Sequence, residues 1–242
     1  MVSFNNIIKV IEEEIEKCKA TAQAKNIGGS GKNKDGKSTY KDGTEITTTG
    51  GTPDKIKHEE TEAEKLEKAK KALENYYKRT DTLSLGICNG CQLMQELNLI
   101  CPEHSRRPKM LHNDSHKFES GFISVVIPEN NSVMFGPLSG SKLGIWIAHG
   151  EGKFQLPEKL SEYNVIAKYA YSQYPANPNG SYASVAGIAS ADGRHLAMMP
   201  HLERAIFPWQ CGFYPSTRRN DEITPWLTAF VNARKWIEEN KK

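Results

Sequence analysis

The chain has 242 residues, 38% of them hydrophobic and 25% charged, enough to bury one sizeable core or two small ones. Lys and Arg number 32 against 29 Asp and Glu, and a formal charge of +3 is too small to make nucleic acid or an anionic membrane the main partner. No apolar run approaches the ~20 residues that cross a bilayer, Met1 to Lys9 lacks the basic start and apolar run of a signal peptide, and five cysteines form no even disulfide framework, so the expectation is a cytoplasmic protein with free thiols.

In chain order, Phe4 to Lys19 carries Ile7, Ile8, Val10, Ile11 and Ile15 among glutamates, the spacing of an amphipathic helix. Between Thr21 and Glu64 the only large apolar residues are Ile27, Tyr40, Ile46 and Ile56, in a background of Gly, Lys, Asp and Thr that cannot build a core alone. Residues 1–64 therefore read as an atypical, low-apolar N-terminal segment and residues 65–242 as the folded domain. From Thr61 to Arg79 strong helix formers put Leu66, Ala69, Leu73, Tyr76 and Tyr77 on one face and predict a helix. Leu83, Leu85 and Ile87 then alternate as a short strand, and Cys91 to Leu99 returns to helical spacing, which gives the strand, tight turn and helix of an α/β unit.

Beyond Pro102 strands dominate. Phe122 to Ile127, Leu143 to Ala148 and Val165 to Tyr171 are rich in β-branched and aromatic residues, and Ser184 to Ser190 pairs with His195 to Met199 through an Asp192-Gly193 turn. Thr224 to Glu239 predicts a closing helix with Pro225 near its first turn and Trp226, Leu227, Phe230, Val231 and Trp236 as its buried side. No internal repeat is visible.

The stretch that points to chemistry is Gly86-Ile87-Cys88-Asn89-Gly90, a G-x-C-x-G between a predicted strand and a predicted helix. That context fits a nucleophile elbow, in which small residues two before and two after the nucleophile permit a sharp turn. The turn would hold the sulfur at a helix N-terminus, where the positive dipole end favours negative charge. A buried cysteine with incidental glycines is the plainer alternative. Cys88 to Cys91 is also a C-x-x-C, the spacing of a thiol redox pair or half a zinc site, although Cys101, His104 and His112 form no convincing second half. A nucleophile needs a base and the base needs an orienting group. After an apolar run into Pro200, His201 and Glu203 stand two apart, so in extended chain both face one side and the carboxylate can hold the imidazole.

Gly86-Ile87-Cys88-Asn89-Gly90-Cys91-Gln92 together with Met198-Met199-Pro200-His201-Leu202-Glu203-Arg204 resembles the signature of class I (triad-type) glutamine amidotransferases. More narrowly, the blocks His112 to Glu119, His149 to Gly152 and Tyr174 to Ser181 are similar to the glutaminase domain of the phosphoribosylformylglycinamidine synthase family, over about Lys68 to Lys241. The resemblance implies an α/β fold of the class I glutamine amidotransferase-like (flavodoxin-like) type, a mixed sheet flanked by helices. It implies hydrolysis of glutamine to glutamate and ammonia, with Cys88 as nucleophile, His201 as proton carrier and Glu203 as its orienting partner. The backbone N–H of Asn89 would help hold the oxyanion, and Gln92 with His149, Gly150 and Glu151 would contact the ends of glutamine. Ammonia would pass to a synthetase domain or subunit for amidation of formylglycinamide ribonucleotide in purine biosynthesis. No metal or cofactor is implied in this part; ATP and magnesium belong to the synthetase.

The sequence departs from that family in two ways. Leu202 stands where a proline is more usual, which leaves the spacing of His201 and Glu203 intact. Upstream, Met1 to Glu64 does not match the family's apolar first strand, helix, second strand and Gly-Gly-Phe-Ser loop; Glu45 to Thr52 offers only a strand ending in Gly50-Gly51. The alternative function is accordingly a catalytically silent interaction or scaffold fragment of the same fold, without a complete oxyanion hole, and the other is a C-x-x-C redox or metal module.

Overall fold

The structure, a computed structural model, describes residues 31–32, 38–39 and 62–240, which fall in two compact units, Met1–Leu73 and Glu74–Lys242. The helix expected over Phe4 to Lys19 and the strand expected over Glu45 to Thr52 lie outside the described residues. In the first unit, β1 (Gly31–Lys32) and β2 (Ser38–Thr39) form a two-residue antiparallel pair.

Helix α1 (Glu62–Lys78) occupies the run of Glu, Lys, Ala and Leu whose propensity predicts it. Its end is tied to residues 79–83 by side chains rather than by a glycine cap. Tyr76 Oη donates to the Leu83 carbonyl at 2.6 Å, Thr82 Oγ1 donates back to the Tyr76 carbonyl at 3.1 Å, and the Arg79 guanidinium forks onto Asp81. The chain then enters β3 (Ser84–Ile87) and, after one residue, α2 (Asn89–Glu96). This helix stops short of the predicted Leu99. Asn98 takes the left-handed conformation (φ 53°), and the N–H groups of Asn98 and Leu99 close onto the carbonyls of Gln95 and Met94, a Schellman end that terminates the helix locally.

The remaining strands are β4 (Lys109–Leu111), β5 (Glu119–Val126), β6 (Lys142–His149), β7 (Lys153–Gln155), β8 (Asn164–Tyr169), β9 (Val185–Ala189) and β10 (His195–Met198), and α3 (Trp226–Asn240) closes the fold. Strands β4 and β7 make a small antiparallel pair. The main sheet has six strands in the order β3-β10-β9-β8-β5-β6. Among the described strands only β3 and β10 run parallel; every other neighbouring pair in this sheet is antiparallel, so the sheet is mixed. Strands β9 and β10 form the expected hairpin, with Gly193 at φ 73° and the Asp192 carboxylate accepting from Ser190 Oγ. A side chain at Gly193 would also meet the Asn131 carbonyl, so this turn requires glycine twice over.

Both sheet faces are covered, which is why β10 is buried at all four residues. Leu196 and Met198 point into one apolar cluster with Ile145, Ile166, Phe135 and Trp226; Ala197 and Met199 point into the other with Cys91, Met94 and Ile188. Helix α3 therefore serves the first face and α2 the second. The buried stripe of α3 runs through Trp226, Ala229, Phe230 and Ala233, the i, i+3, i+4, i+7 rows of one helix side. Val231, read from sequence as part of that side, falls off those rows and is 41% exposed. No helix among the described residues is long and apolar enough to cross a membrane.

The edge strand β6 does not end in solvent. The sheet curls until His201, three residues past β10, makes an isolated antiparallel bridge with Trp146, and its N–H donates to the Trp146 carbonyl at 2.8 Å. The C-terminal ends of β3, β10 and β6 meet at this corner.

Trp226 is fully buried and donates its Nε1–H to the Gly144 carbonyl at 2.8 Å. Trp226→Ala is expected to cost about 3–5 kcal/mol by cavity formation. Val231→Ala, on the exposed side of the same helix, should stay within about 0.5 kcal/mol, and urea unfolding of the two variants reads the difference.

Candidate active site

Cys88 is the single residue between β3 and α2, and its backbone is strained (φ 52°, ψ −106°). A non-glycine residue in that region costs about 1–3 kcal/mol and persists only where surrounding contacts impose it. Two backbone bonds do so. The Cys88 N–H donates to the Met198 carbonyl at 3.0 Å, which continues the parallel pairing of β3 with β10, and the Cys88 carbonyl accepts from Gln92 at 3.0 Å as the first bond of the helix. The N–H groups of Asn89, Gly90 and Cys91 consequently have no partner within the helix. The two elbow glycines are not equivalent. A Cβ on Gly86 would lie 2.4 Å from Met94 Sδ and 2.8 Å from the Gly90 carbonyl group, whereas one on Gly90 would meet nothing within 4 Å.

His201 and Glu203 come together, though not in extended chain as their spacing suggests. His201 sits at the mouth of a single 3-10 turn (Leu202–Arg204), and its Nδ1 lies 2.6 Å from Glu203 Oε1 across that turn. His201 Nε2 is buried with no hydrogen-bond partner among the described residues, and the Cys88 sulfur lies beside that ring. First Cys88 and then Glu203 raise the His201 pKa to about 9 against the opposing effect of burial. Burial pushes the Glu203 carboxyl up, but the hydrogen bond from His201, a backbone hydrogen bond and the charges of His201 and Arg204 outweigh it and hold it below its ordinary value. The Cys88 sulfur also lies 3.8 Å from the Ala148 carbonyl, near the end of β6. Three strand ends thus converge on one sulfur.

Gln92, buried one helical turn after Cys88, donates Nε2–H to the Glu151 carbonyl, and its Oε1 has no partner among the described residues. The loop His149-Gly150-Glu151 leaves the end of β6 directly. The Glu151 carboxylate is engaged with His112 at 3.4 Å, so what this residue offers Gln92 is its main chain. His149 is buried, and burial lowers its pKa to about 4. Asn89 opens α2 with its side chain exposed, and its backbone N–H has no partner within the helix.

Cys91 belongs to the apolar cluster and not to this corner's exposed edge. It is fully buried, and burial, then Cys88, push its thiol well above the ordinary range. Cys88 and Cys91 are both free thiols, and among the described residues no three His, Cys, Asp or Glu side chains are grouped to hold a metal.

Sequence reasoning did not single out Asn113, Glu119, Tyr169 or Asn179 as individual site residues. Asn113 and Asn179 are fully buried and bonded to the backbone of the 149–152 loop. Tyr169 accepts from Asn179 Nδ2 at 2.9 Å and lies beside both Cys88 and Cys91. Asn113 and Glu119 lie in the His112 to Glu119 block, and Asn179 lies in the Tyr174 to Ser181 block; those motifs were the available signal.

Residues 42–237 match the CobB/CobQ-like glutamine amidotransferase domain family. Similar curated proteins include the probable phosphoribosylformylglycinamidine synthase, chloroplastic/mitochondrial, of Arabidopsis thaliana, 42% identical over 185 residues, which span 68% of this chain and 13% of that protein. The phosphoribosylformylglycinamidine synthase of Homo sapiens is 39% identical over 193 residues, 69% of this chain and 14% of that protein. The chain therefore spans only 13–14% of the length of these relatives. Among solved structures, PurLQS from Thermotoga maritima has a TM-score of 0.47 at 25% identity, covering 66% of this chain and 62% of that one. A glutamine amidotransferase from Thermotoga maritima has a TM-score of 0.38 at 17% identity, covering 73% of this chain and 56% of that one.

The asymmetry of the elbow glycines is testable by stability. Gly86→Ala should cost about 1–3 kcal/mol through overpacking against Met94 and Gly90. Gly90→Ala, inside a helix with open space around it, should be neutral or stabilising by about 0.5–1 kcal/mol, and thermal denaturation of both variants checks the contrast.

Proposed function

The chain belongs to the CobB/CobQ-like glutamine amidotransferase family, and from that premise we propose that it is the glutaminase part of a phosphoribosylformylglycinamidine synthase. In this reading it hydrolyses glutamine to glutamate and ammonia with a triad of Cys88, His201 and Glu203. The synthetase part, as a domain or a separate subunit, takes up the ammonia to amidate formylglycinamide ribonucleotide. The amidotransferase domain is taken as residues 65–242 with residues 1–64 as its leading segment, and the reaction is assigned to the cytoplasm. The observation that carries the proposal is one constellation: a sulfur on a strained strand-to-helix turn, beside an imidazole whose other nitrogen is 2.6 Å from a carboxylate.

The chemistry is set by those contacts. With the His201 pKa at about 9, the imidazole keeps its proton at neutral pH and the neighbouring sulfur acts as the nucleophile. The sulfur attacks the side-chain carboxamide carbon of glutamine, and the oxygen takes up negative charge that the backbone N–H of Asn89, free of the helix's own bonds, is assigned to hold. His201 gives its Nε2 proton to the nitrogen, the C–N bond breaks, ammonia leaves, and a thioester joins Cys88 to the glutamyl group. The neutral imidazole then takes a proton from water as the water oxygen attacks the thioester. The C–S bond breaks, glutamate leaves, and the imidazole is again protonated. Throughout, Glu203 keeps Nδ1–H engaged, so only Nε2 exchanges protons with the reacting atoms. Gln92 and the main chain of the 149–151 loop, which are bonded to each other, are assigned to binding the ends of glutamine.

Glutamate release from glutamine is the direct test. Cys88→Ala should abolish it, and His201→Ala should lower it about 10²- to 10⁴-fold. Absence of release by the parent chain, together with absence of Cys88 modification by a glutamine-like electrophile, would reject the glutaminase reading and leave the silent scaffold.

The proton on His201 sets a pH dependence. The imidazole must be protonated to expel ammonia, so kcat/KM should fall as pH rises through about 9. Glu203→Gln removes one of the two groups that raise that pKa, so the descending limb should move to lower pH. A limb that stays in place in this variant would detach Glu203 from the proton transfer.

A further inference from the structure

Beyond Glu203 the chain runs into a loop that places Phe207, Trp209 and Phe213 within seven residues. Trp209 is 79% exposed and Phe213 73%. The rings of Phe207 and Trp209 stack on each other, with 5.9 Å between centroids and 7° between planes, and none of the three residues belongs to either apolar cluster. Large rings gathered on a surface and unused by the core are the usual anchors of protein–protein contacts.

The backbone beneath these rings is held on three sides. Thr224, two residues before α3, donates its Oγ1–H to the Ala205 carbonyl at 2.6 Å and its N–H to the Ile206 carbonyl at 2.8 Å. Gln210 folds its Oε1 back to accept from the N–H groups of Ile206 and Phe207, at 2.9 and 3.0 Å. From β6, Trp146 donates Nε1–H to the Gln210 carbonyl at 2.7 Å. A loop so fixed gives up little freedom when a partner covers it.

Trp146 also sets where the rings stand. Its carbonyl accepts from the His201 N–H at 2.8 Å, so one residue fastens both the backbone of His201 and the aromatic loop. The charge around the rings has one sign, for between Glu203 and Asp221 the only charged residues are Arg204, Arg218 and Arg219. Arg204 and Arg218 reach the carboxylates at either end of that stretch, at 3.6 and 2.7 Å, while Arg219 is exposed and makes no ion pair among the described residues.

Ammonia released into neutral water is protonated and loses the lone pair that makes it a nucleophile. Whatever consumes it must therefore stand against the corner where it forms, and the aromatic loop is the exposed apolar surface tied to that corner. We infer that this loop is where the synthetase part seats, with Trp209 and Phe213 entering apolar pockets of that partner and its carboxylates facing Arg204, Arg218 and Arg219. The inference rests on the glutaminase reading above and gives that reading a docking face.

The test uses the complete enzyme, this chain together with its synthetase part, and measures amidation of formylglycinamide ribonucleotide with glutamine and, separately, with ammonium chloride. Trp209→Ala and Phe213→Ala should each lower the glutamine-dependent rate about 10- to 100-fold, the loss expected of an anchoring ring, and leave the ammonium-dependent rate within about 2-fold. Arg219→Glu should act in the same direction, by about 3- to 10-fold, because it sets like charges against each other. In the chain alone, a glutamine-like electrophile should modify Cys88 of the ring variants at the parent's rate. Slower modification would make the loop part of the reacting site and overturn the inference. An unchanged glutamine-dependent rate in both ring variants overturns it, and so does equal loss of both rates. A dimer of the chain alone that Trp209→Ala dissociates in sedimentation would give the rings to a second copy and overturn it too. A parent enzyme that uses ammonium but not glutamine, with a Cys88 that resists the electrophile, fails at the earlier step, the glutaminase reading, and takes the inference with it.

Discussion

One backbone hydrogen bond, from the His201 N–H to the Trp146 carbonyl, is the constraint on which the candidate site depends. In the order of the sheet β6 is the far edge from β3, five places away. The right-handed twist that strands impose on one another brings the edges round, and this bridge fastens them. Without it the end of β6 would be an open edge, and Ala148, His149 and the loop to Glu151 would have no fixed relation to Cys88. With it, Ala148 on β6 and the segment from Met198 to His201 that follows β10 both meet at Cys88.

The corner built in this way is poorly satisfied as a piece of protein. Among the described residues nine buried side-chain polar atoms lack a hydrogen-bond partner, and five of them belong to Gln92, Glu119, His149, His201 and Glu203. A buried polar atom left unpaired costs about 1–3 kcal/mol, so folding alone gives no reason to collect them in one place. The strained backbone of Cys88 adds to the cost at the same point. What tolerates both is the surrounding order: apolar clusters on the two faces of β10, and a buried amide and hydroxyl network through Asn113, Asn177, Asn179 and Ser181 that bonds the loops to one another.

Much of this was legible in the chain, though not evenly. The hairpin at Asp192-Gly193, the strands near Phe122, Leu143 and Val165, and the helices over 62–78 and 226–240 are dictated by periodicity and turn chemistry, and they are found within a few residues of where those patterns put them. The departures have local causes. Asn98 in the left-handed region ends α2 early, and Val231 lies off the i, i+3, i+4 rows that bury α3. The G-x-C-x-G pattern set Cys88 apart from Cys91 in sequence, and in the fold Cys91 is buried in the apolar cluster while Cys88 stays part-exposed at the corner.

By itself the sequence determined what depends on near neighbours. Glycines two before and two after Cys88, between a strand pattern and a helix pattern, specify where a nucleophile can stand, and a histidine two residues from a glutamate specifies a pair within reach of each other. The tertiary structure alone decided which distant groups complete the site. That Asn113 bonds to His149, that Glu119 faces it across a ladder, and that β6 returns to His201 are consequences of strand register and sheet curl. Register and curl come from burying both faces of the sheet at once, a balance over the whole domain to which each residue contributes and which no short stretch of residues encodes.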